Sequence, residues 1–481
     1  MLNSIKRYFH PDTMVQQDRR LGSIPDRNTA YADFLRIALP SIAEMVLMSM
    51  IGSVDTIMVG QLGKNALAAV SLPGQPRMIM LSMFFALNVG VTTIVARRKG
   101  EDRRDAANLT LRNALMLVFA LSIVVMLTVV SLAEPLIRLA GGNTNTPDDA
   151  DVLDNAISYF TIMAYALPIN AVSMCINAAL RGVGNTKLTM QVNTISNLVN
   201  VVFNYLLIGG NLGFPKLEVP GAAIASVIGM TAGAMLSILT VLRGSSDSYL
   251  HLSRHDKWRI DKETMRGIFR VGGNAMVEQL SMRFGFFMYS RIMYGLGVTL
   301  FAAHNICMQF LGITFSFSDG LGIASTSLVG QNLGAKRPDL ALLYGKIGQR
   351  LALVVSLAIA SLTVLFRDPL TALFIDPASH NARLVLDSAE QTMLVVALMQ
   401  PFQMNSVVLS GCLRGAGDNL YVASCMAICV SVIRPLMAFL AVYVFKMGLA
   451  MTWLLSLSEM GIRMFLYYRR FESGKWMTIR I

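Results

Sequence analysis

The chain has 481 residues, a formal net charge of +12 and a hydrophobic content of 54%, while charged residues make up only 15%. Soluble proteins carry about 25% charged residues, so this composition excludes a soluble enzyme, a disordered chain and a secreted disulfide scaffold. The apolar runs are long and continuous rather than alternating, which favours membrane-spanning helices over a β-barrel.

The chain begins with a polar segment, residues 1–33, that holds no apolar core, so we expect no cleavable signal peptide. Twelve apolar runs follow, each long enough to cross a bilayer. We name these predicted membrane helices spans 1 to 12. They cover residues 34–59, 66–95, 113–133, 156–180, 188–208, 219–242, 267–295, 299–330, 347–366, 388–412, 419–445 and 447–468.

A charged stretch at residues 243–266 separates the first six spans from the last six. We therefore predict an N-terminal lobe at 34–242, a linker at 243–266, a C-terminal lobe at 267–468 and a tail at 469–481.

Lys and Arg are concentrated on one side of the predicted topology. The N-terminal tail, the loops after even-numbered spans and the C-terminal tail, counted together with the adjoining parts of the spans, hold 31 of them, and the opposite loops hold six. Cytoplasmic loops of membrane proteins are enriched in Lys and Arg. We therefore predict that both termini and the linker are cytoplasmic, in a bacterial-type inner membrane. The basic charge indicates topology rather than nucleic-acid binding.

The two halves of the chain repeat one another. A shift of 234 positions superimposes residues 36–107 on 270–341 with 17 identities in 72 positions. At a shift of 233, Arg181 in the sequence LRGVG meets Arg414 in LRGAG. Two halves of six spans each insert with the same orientation. The sequence thus predicts an all-α integral membrane protein with twelve transmembrane helices in two pseudo-symmetric six-helix lobes around a central cleft, an architecture typical of transporters.

Several segments resemble the multidrug and toxic compound extrusion (MATE) family. Span 1 begins a stretch reading ALPSIAEMVLMSMIGSVDTIMVGQLGKNALAAVSL, span 7 contains EQLSMRFGFFMYSRIMYGLGVTLFAAHNI, and span 8 ends in GIASTSLVGQNLGA. Spans 4 and 10 close with ALRGVGNTK and CLRGAGDN. The resemblance covers nearly the whole chain. It implies an antiporter, not an enzyme, that exports hydrophobic, often cationic, drugs or toxins in exchange for H+ or Na+ by rocker-type alternating access.

Span 1 carries two carboxyl groups, Glu44 and Asp55, which are 11 residues apart. They lie on one helical face, about 16 Å apart along the axis. Ionisable groups inside membrane helices are costly and mark ion or substrate paths. Both are therefore candidates for cation or proton coupling, and Asp55 also matches the Asp of the family's first span. The alternative is a buried structural acid, which suits Glu44 because Glu278 mirrors it in the repeat.

Span 5 places four amides, Asn193, Asn197, Asn200 and Asn204, on one face. The resemblance implies that Asn200 and Asn204 join the coupling site of the N-terminal lobe. Asn204 stands where family members have an Asp, so Asp55 would carry the main charge. Interhelical hydrogen bonding is the alternative. Asn177 in span 4 is a further, weaker candidate for the same site.

The C-terminal lobe departs from the sodium-coupled branch of the family, which carries a Glu in span 7 and an Asp in span 10. Here Glu278 lies one turn before the expected position, Met282 occupies that position, and the run VVALMQPFQMNSVVLSGCL of span 10 has no acid. We therefore expect proton coupling through the N-terminal lobe. Gln75 and Gln309, equivalent in the repeat, are candidates for the substrate cleft together with Glu278 and Met282. Helix packing is the alternative for both glutamines.

Four other residues have structural predictions. Pro168 and Pro401 are expected to bend spans 4 and 10, and Arg434 and Glu459 to form an ion pair between spans 11 and 12. The five cysteines lie in apolar runs without a His or carboxylate to complete a metal set, so neither a disulfide nor a metal site is expected. No phosphate-binding loop or hydrolase motif occurs. We expect no cofactor, and energy from an ion gradient.

A lipid-linked oligosaccharide flippase of the same superfamily is the alternative function. It would need two further spans or a strongly cationic cleft, and only Arg77, Arg283 and Arg291 are placed to supply one. A membrane enzyme or channel is disfavoured by the two-lobe repeat and the lack of a catalytic cluster. The expected partners are small-molecule substrates and the lipid bilayer, without nucleic acid, and the expected state is a monomer.

Overall fold

The computed structural model describes residues 7–144, 146–243, 249–253, 258–372, 374 and 382–479. Within these residues all regular secondary structure is helical. Ten helices of this part of the chain are long and apolar enough to cross a membrane, and the bent pair Pro147–Tyr165 and Leu167–Gly182 brings the number to eleven. The prediction of an all-helical, multi-spanning membrane protein is confirmed.

The helices follow the predicted spans in order. Spans 1 to 6 are Arg27–Gly60, Lys64–Ser71 continued by Gly74–Gly100, Arg104–Ser131, Pro147–Tyr165 continued by Leu167–Gly182, Thr186–Gly209 and Glu218–Arg243. Spans 7 to 12 are Lys262–Tyr294, Val298–Gly334, Pro338–Leu365, Ala382–Ala416, Asn419–Val444 and Leu449–Glu472. Short helices, Ala133–Leu139 and Arg367–Ala372, follow spans 3 and 9 at equivalent places in the repeat.

Span 7 is the helix that length and apolarity do not identify as membrane-spanning. It is 33 residues long, but Arg266, Arg270, Glu278, Arg283 and Arg291 lie along it. Its equivalence to span 1 in the repeat makes it the twelfth membrane helix. The two prolines act differently: span 4 bends by 51° next to Pro168, whereas span 10 continues through Pro401 as one helix.

The chain divides into two compact units. The N-terminal unit is Ala43–Met276, and the C-terminal unit is Met1–Ile42 together with Val277–Ile481. These boundaries lie inside spans 1 and 7 rather than at the edges of the predicted linker 243–266. Residues 244–248 and 254–257 of that linker lie outside the described residues. The side of the membrane on which the tails and the linker lie stays a prediction.

Apolar packing explains the boundary within span 1. Phe34, near the start of the span, is fully buried in the same cluster as Val329, Leu343 and Trp476 of the C-terminal unit. The polar N-terminal segment packs there too, since Val15 is buried in that cluster. The described part of the predicted N-terminal tail therefore packs within the C-terminal unit.

Polar contacts hold the same segment in place. The N–H of Leu21 donates to Asp339 Oδ2 at 3.1 Å, and Arg337 Nη2 donates to the carbonyl of Ser23 at 3.0 Å. The guanidinium of Arg350 lies 4.3 Å from the centre of the Tyr8 ring.

Apolar packing also assigns the end of the linker to the N-terminal unit. Leu250, Leu252 and Ile268 are buried in the cluster that contains Leu111 of span 3. Asp261 immediately precedes span 7, and its carboxylate accepts a hydrogen bond from the N–H of Thr264 at 2.8 Å. Hydrogen bonding from the Thr264 hydroxyl and N–H lowers the pKa of Asp261 below its ordinary value.

The internal repeat is visible as matching helix contacts in the two units. In the N-terminal unit, Thr92 Oγ1 donates to the carbonyl of Ala178 at 2.9 Å. In the C-terminal unit, Thr326 Oγ1 donates to the carbonyl of Gly411 at the same distance. The two threonines are 234 positions apart, and the two acceptors 233. Span 2 thus meets span 4 as span 8 meets span 10.

Candidate functional site

Asp55 lies in a cluster of polar side chains from spans 1, 5 and 6. Asn204 Nδ2 donates to Asp55 Oδ1 at 2.7 Å. The hydrogen-bonding pattern orients the Asn200 amide with its nitrogen 2.9 and 3.2 Å from the two Asp55 oxygens and its oxygen 3.1 Å from Ser226 Oγ. Asn200 and Asn204 are both buried. One membrane-embedded carboxylate therefore receives two amide donors.

The sequence places these groups by helical spacing and by one glycine. Asn200 and Asn204 are four residues apart in span 5, so both face span 1. A Cβ on Gly229 of span 6 would lie 2.7 Å from the carbonyl oxygen of Ser196. Because Gly229 has no side chain, span 6 approaches span 5 closely enough for Ser226 to reach Asn200.

A cavity of about 340 Å³ opens beside this cluster, within the N-terminal unit. Its wall includes Asp55, Asn197, Asn200 and Asn204, so three of the four span 5 amides face it. Spans 1, 2, 4, 5 and 6 all contribute to the wall, which also includes Gly52, Arg77, Tyr159, Met163, Ser226 and Met230. The arrangement offers a single carboxylate, lined by amides, to a small cation or a proton.

Glu44 belongs to a second polar network, separate from Asp55. Its Oε1 is 3.0 Å from Arg181 Nη1 and accepts from Asn193 Nδ2 at 2.6 Å. Its Oε2 accepts from the Thr189 hydroxyl at 2.9 Å. Asn177 joins this network, since Asn177 Nδ2 donates to Asn193 Oδ1 at 3.4 Å. The residues expected in one coupling site thus occupy two places.

Glu278 has the equivalent partner in the C-terminal unit. Its Oε2 accepts from Arg414 Nε at 3.3 Å, and its Oε1 accepts from Arg414 Nη2. Glu278 is buried, with 2% of its surface exposed, and Met282 is half-buried. Burial and the Arg414 pair give Glu278 the same structural surroundings as Glu44. The helical spacing alone does not show this pairing, because it depends on the rotation of spans 7 and 10.

Gln75 and Gln309 both have exposed side chains. Neither is among the described residues that line the Asp55 cavity. Their assignment to a substrate cleft stays a prediction.

Arg434 and Glu459 form a buried ion pair, with Arg434 Nη2 2.7 Å from Glu459 Oε2. Arg463, four residues after Glu459, shares the same carboxylate at 3.0 Å and donates to Gln403 Oε1 at 2.9 Å. Arg463 lies inside span 12 and was not among the predicted residues. The i,i+4 spacing from Glu459 is the signal that identifies this partner.

The sequence reasoning also missed Asp319, an acid inside span 8 in the run FSFSDGLG. Asp319 is exposed in the structure. Phe85 occupies the equivalent position in the N-terminal unit. Asp55, in turn, is equivalent to Tyr289, which packs edge-on against His304 with ring centres 5.6 Å apart. The two units are therefore alike in their helices and different in their polar groups.

No group of three or more His, Cys, Asp or Glu side chains that could hold a metal ion occurs in the described residues. The five cysteines are buried and free.

Comparison with known proteins gives the following matches. The MatE family model matches residues 40–206 and 275–440. A relative named "Probable multidrug resistance protein NorM" from Thermotoga maritima is 25% identical over 445 residues, 92% of each chain. "Multidrug resistance protein MdtK" from Pectobacterium atrosepticum is 27% identical over 383 residues, 80% of this chain and 81% of that one.

Two solved structures share the fold. An outward-facing multidrug resistance MATE family transporter of the MOP superfamily has a TM-score of 0.84 at 20% identity. A MOP superfamily transporter from Pyrococcus furiosus has a TM-score of 0.82 at 21% identity. Each comparison covers 93% of this chain and 97% of the other.

Proposed function

The chain belongs to the MatE family of multidrug efflux transporters, and from this premise we propose that it is a proton-coupled antiporter. It exports hydrophobic, often cationic, drugs or toxins, and H+ moves inward in exchange. Two homologous lobes rock to expose a central site to each side of the membrane in turn. The protein acts as a monomer in a bacterial-type inner membrane, with both termini cytoplasmic, as the distribution of Lys and Arg supports.

The observation that carries this proposal is the Asp55 cluster. Asp55 is an acid inside a membrane helix, it borders a cavity, and its two hydrogen-bond donors are neutral amides. Binding of H+ removes the charge that these amides stabilise, so the two protonation states favour different arrangements of spans 1 and 5. A coupling ion drives transport by such differential stabilisation of two states.

Glu44 and Glu278 are less suited to this role. Each is buried against an arginine, and loss of its charge would leave that arginine without its partner. The proposal therefore assigns both residues to the support of their helices rather than to ion exchange.

The flippase alternative has less support. The described residues contain up to eleven apolar spans plus span 7, which leaves no sign of two further ones. Of the three arginines considered for a cationic cleft, Arg77 lines a cavity that also holds Asp55, so that cavity is not strongly cationic. The names of the relatives NorM and MdtK also favour drugs as substrates.

A resistance assay tests the proposal. We expect Asp55→Asn to abolish drug resistance in cells without other efflux pumps, while the variant still reaches the membrane at normal abundance. Asp148→Asn is the matched control, because it makes the same chemical change at an exposed position in the first turn of span 4, and it should keep full resistance. Normal resistance with Asp55→Asn would reject the assignment of Asp55.

A further inference from the structure

The Asp55 cavity contains a fixed positive charge that the proposed function does not use. Asp55, Arg77 and Tyr159 are the titratable side chains among the described residues that line it. Arg77 lies in the first turn of Gly74–Gly100, the second helix of span 2, and Tyr159 is a buried residue of span 4. Because all three side chains line one cavity, the charge of Arg77 acts on Asp55 and Tyr159 across it.

We propose that Arg77 determines the ion selectivity of this cavity by excluding Na+ from the Asp55 carboxylate while H+ still binds. This inference rests on the proposed coupling role of Asp55. It assigns Arg77 a specificity-determining role, although Arg77 itself does not carry the coupling ion.

The polarity of the groups around Asp55 disfavours Na+. Sodium binds through several oxygen ligands, as hard cations do. Here, however, both neighbouring amides turn their nitrogens to the carboxylate. The oxygen of Asn200 is held away by Ser226, whose hydroxyl and N–H lie 3.1 and 3.2 Å from it. Asn204 Oδ1 is the one amide oxygen of the pair that is buried without a hydrogen-bond partner in the described residues.

The charge of Arg77 affects the binding of both cations at Asp55. A nearby positive charge disfavours H+ and Na+ at Asp55 by similar Coulomb energies, because each adds one positive charge to the cavity. The consequences differ, because H+ forms a covalent bond to the carboxylate and binds it far more tightly than Na+ does. The same penalty therefore leaves H+ binding within the physiological range of H+ concentration. It moves Na+ binding to concentrations above the physiological range.

The alternative is that Arg77 is only a structural counter-ion of Asp55. A structural role predicts loss of stability without a change in ion selectivity. The response to Na+ therefore separates the two roles, since an arginine that only stabilises the fold does not determine which cation competes for Asp55.

Ion competition in proteoliposomes provides the test. Export of the fluorescent cation ethidium is driven by a pH gradient, and NaCl replaces choline chloride at constant ionic strength. Wild type and Arg77→Lys, which keeps the charge, should be insensitive to Na+. Export by Arg77→Gln should be inhibited by Na+. Half-inhibition should occur at a Na+ concentration at least about tenfold below any that affects wild type. An unchanged Na+ response in Arg77→Gln, or export by wild type on a Na+ gradient alone, would overturn the inference.

A binding measurement keeps the inference testable if Arg77→Gln does not transport. Equilibrium binding of radioactive Na+ to the purified protein should be saturable in Arg77→Gln and Arg77→Met and absent in wild type. Adding Asp55→Asn should remove it. If neither Arg77 variant binds Na+, the inference is wrong. Proton-coupled export that persists in Asp55→Asn would reject the proposed function instead, so the two failures are distinguishable.

Discussion

Asp55 is the residue on which the account depends, and its neighbours explain how a charge is tolerated within span 1. A carboxylate away from water needs hydrogen-bond donors or an opposite charge. Asn204 supplies a donor at 2.7 Å, Asn200 supplies a second, and Arg77 supplies the charge. Of these, the amides bind the carboxylate directly.

Loss of the shorter amide contact should impair coupling. Asn204→Leu replaces the amide by an apolar group of similar size, which leaves Asp55 without the donor at 2.7 Å. We expect coupled export to fall by about tenfold, as for the loss of one hydrogen bond to a charged group. Asn204→Asp, which restores the acid of the family pattern, should keep export. Ethidium export from intact cells measures both, and full activity of Asn204→Leu would contradict the role of this contact.

The sequence identified Asp55, Asn200 and Asn204 because an acid and two amides inside apolar helices are rare and share regular spacing. It did not place Ser226 or Arg77 in the wall of the Asp55 cavity. Those contacts depend on how spans 2 and 6 are rotated, and a helix of mixed small and apolar residues does not fix its own rotation. Asp319 was readable as an acid within span 8 and was overlooked.

At the scale of the helices, the middle of span 1 is joined to the end of span 4, and the middle of span 7 to the end of span 10, by an ion pair whose carboxylate is buried. Glu44 meets Arg181, and Glu278 meets Arg414. The two arginines stand at the same place in the repeated LRGxG motif. Such a pair stabilises the bundle only while both members are present, since a single buried charge is costly.

A double-mutant cycle tests this structural role. Arg181→Met removes the positive charge and leaves Glu44 with an uncompensated carboxylate, so we expect a loss of about 3 kcal/mol in the free energy of unfolding. Adding Glu44→Gln should recover part of that loss, because no charge then remains. The melting temperature of the purified protein in detergent provides the measurement. A double variant that is no more stable than Arg181→Met would contradict the buried pair.

The repeat predicted that the two halves share one helical plan, and the equivalent contacts of Thr92 and Thr326 agree with it. The sequence did not predict where the compact units divide. That division follows from tertiary packing of Phe34 and of Leu250. Neither residue differs in type from other apolar residues nearby. The sequence therefore does not show which of the two compact units each residue packs in.

At the scale of the whole molecule, the topology is open to direct labelling. The five native cysteines are buried, so a new exposed cysteine gives a clear signal. We expect Asp148→Cys, in the first turn of span 4, to react with a membrane-impermeant maleimide in intact cells. Arg259→Cys, in the linker, should react only after the membrane is permeabilised. Both positions are exposed in the structure, and labelling of Arg259→Cys in intact cells would contradict cytoplasmic placement of the linker.

The whole molecule carries a basic charge of +12. Lys and Arg are concentrated in the segments that we predict to be cytoplasmic, while few acids lie inside the spans. Among those acids, Glu44, Glu278 and Glu459 are paired with arginines. Asp55 differs in having neutral amides as its hydrogen-bond partners, next to a cavity. The proposal therefore assigns H+ coupling to this carboxylate.

Substrate-evoked proton movement tests that dependence most directly. Proteoliposomes containing a pH-sensitive dye are given ethidium without any imposed ion gradient, and the internal pH is followed for wild type, Asp55→Asn and Asp148→Asn. We expect a substrate-dependent pH change in wild type and in Asp148→Asn, and none in Asp55→Asn. A pH change of wild-type size in Asp55→Asn, or none in wild type, would contradict it.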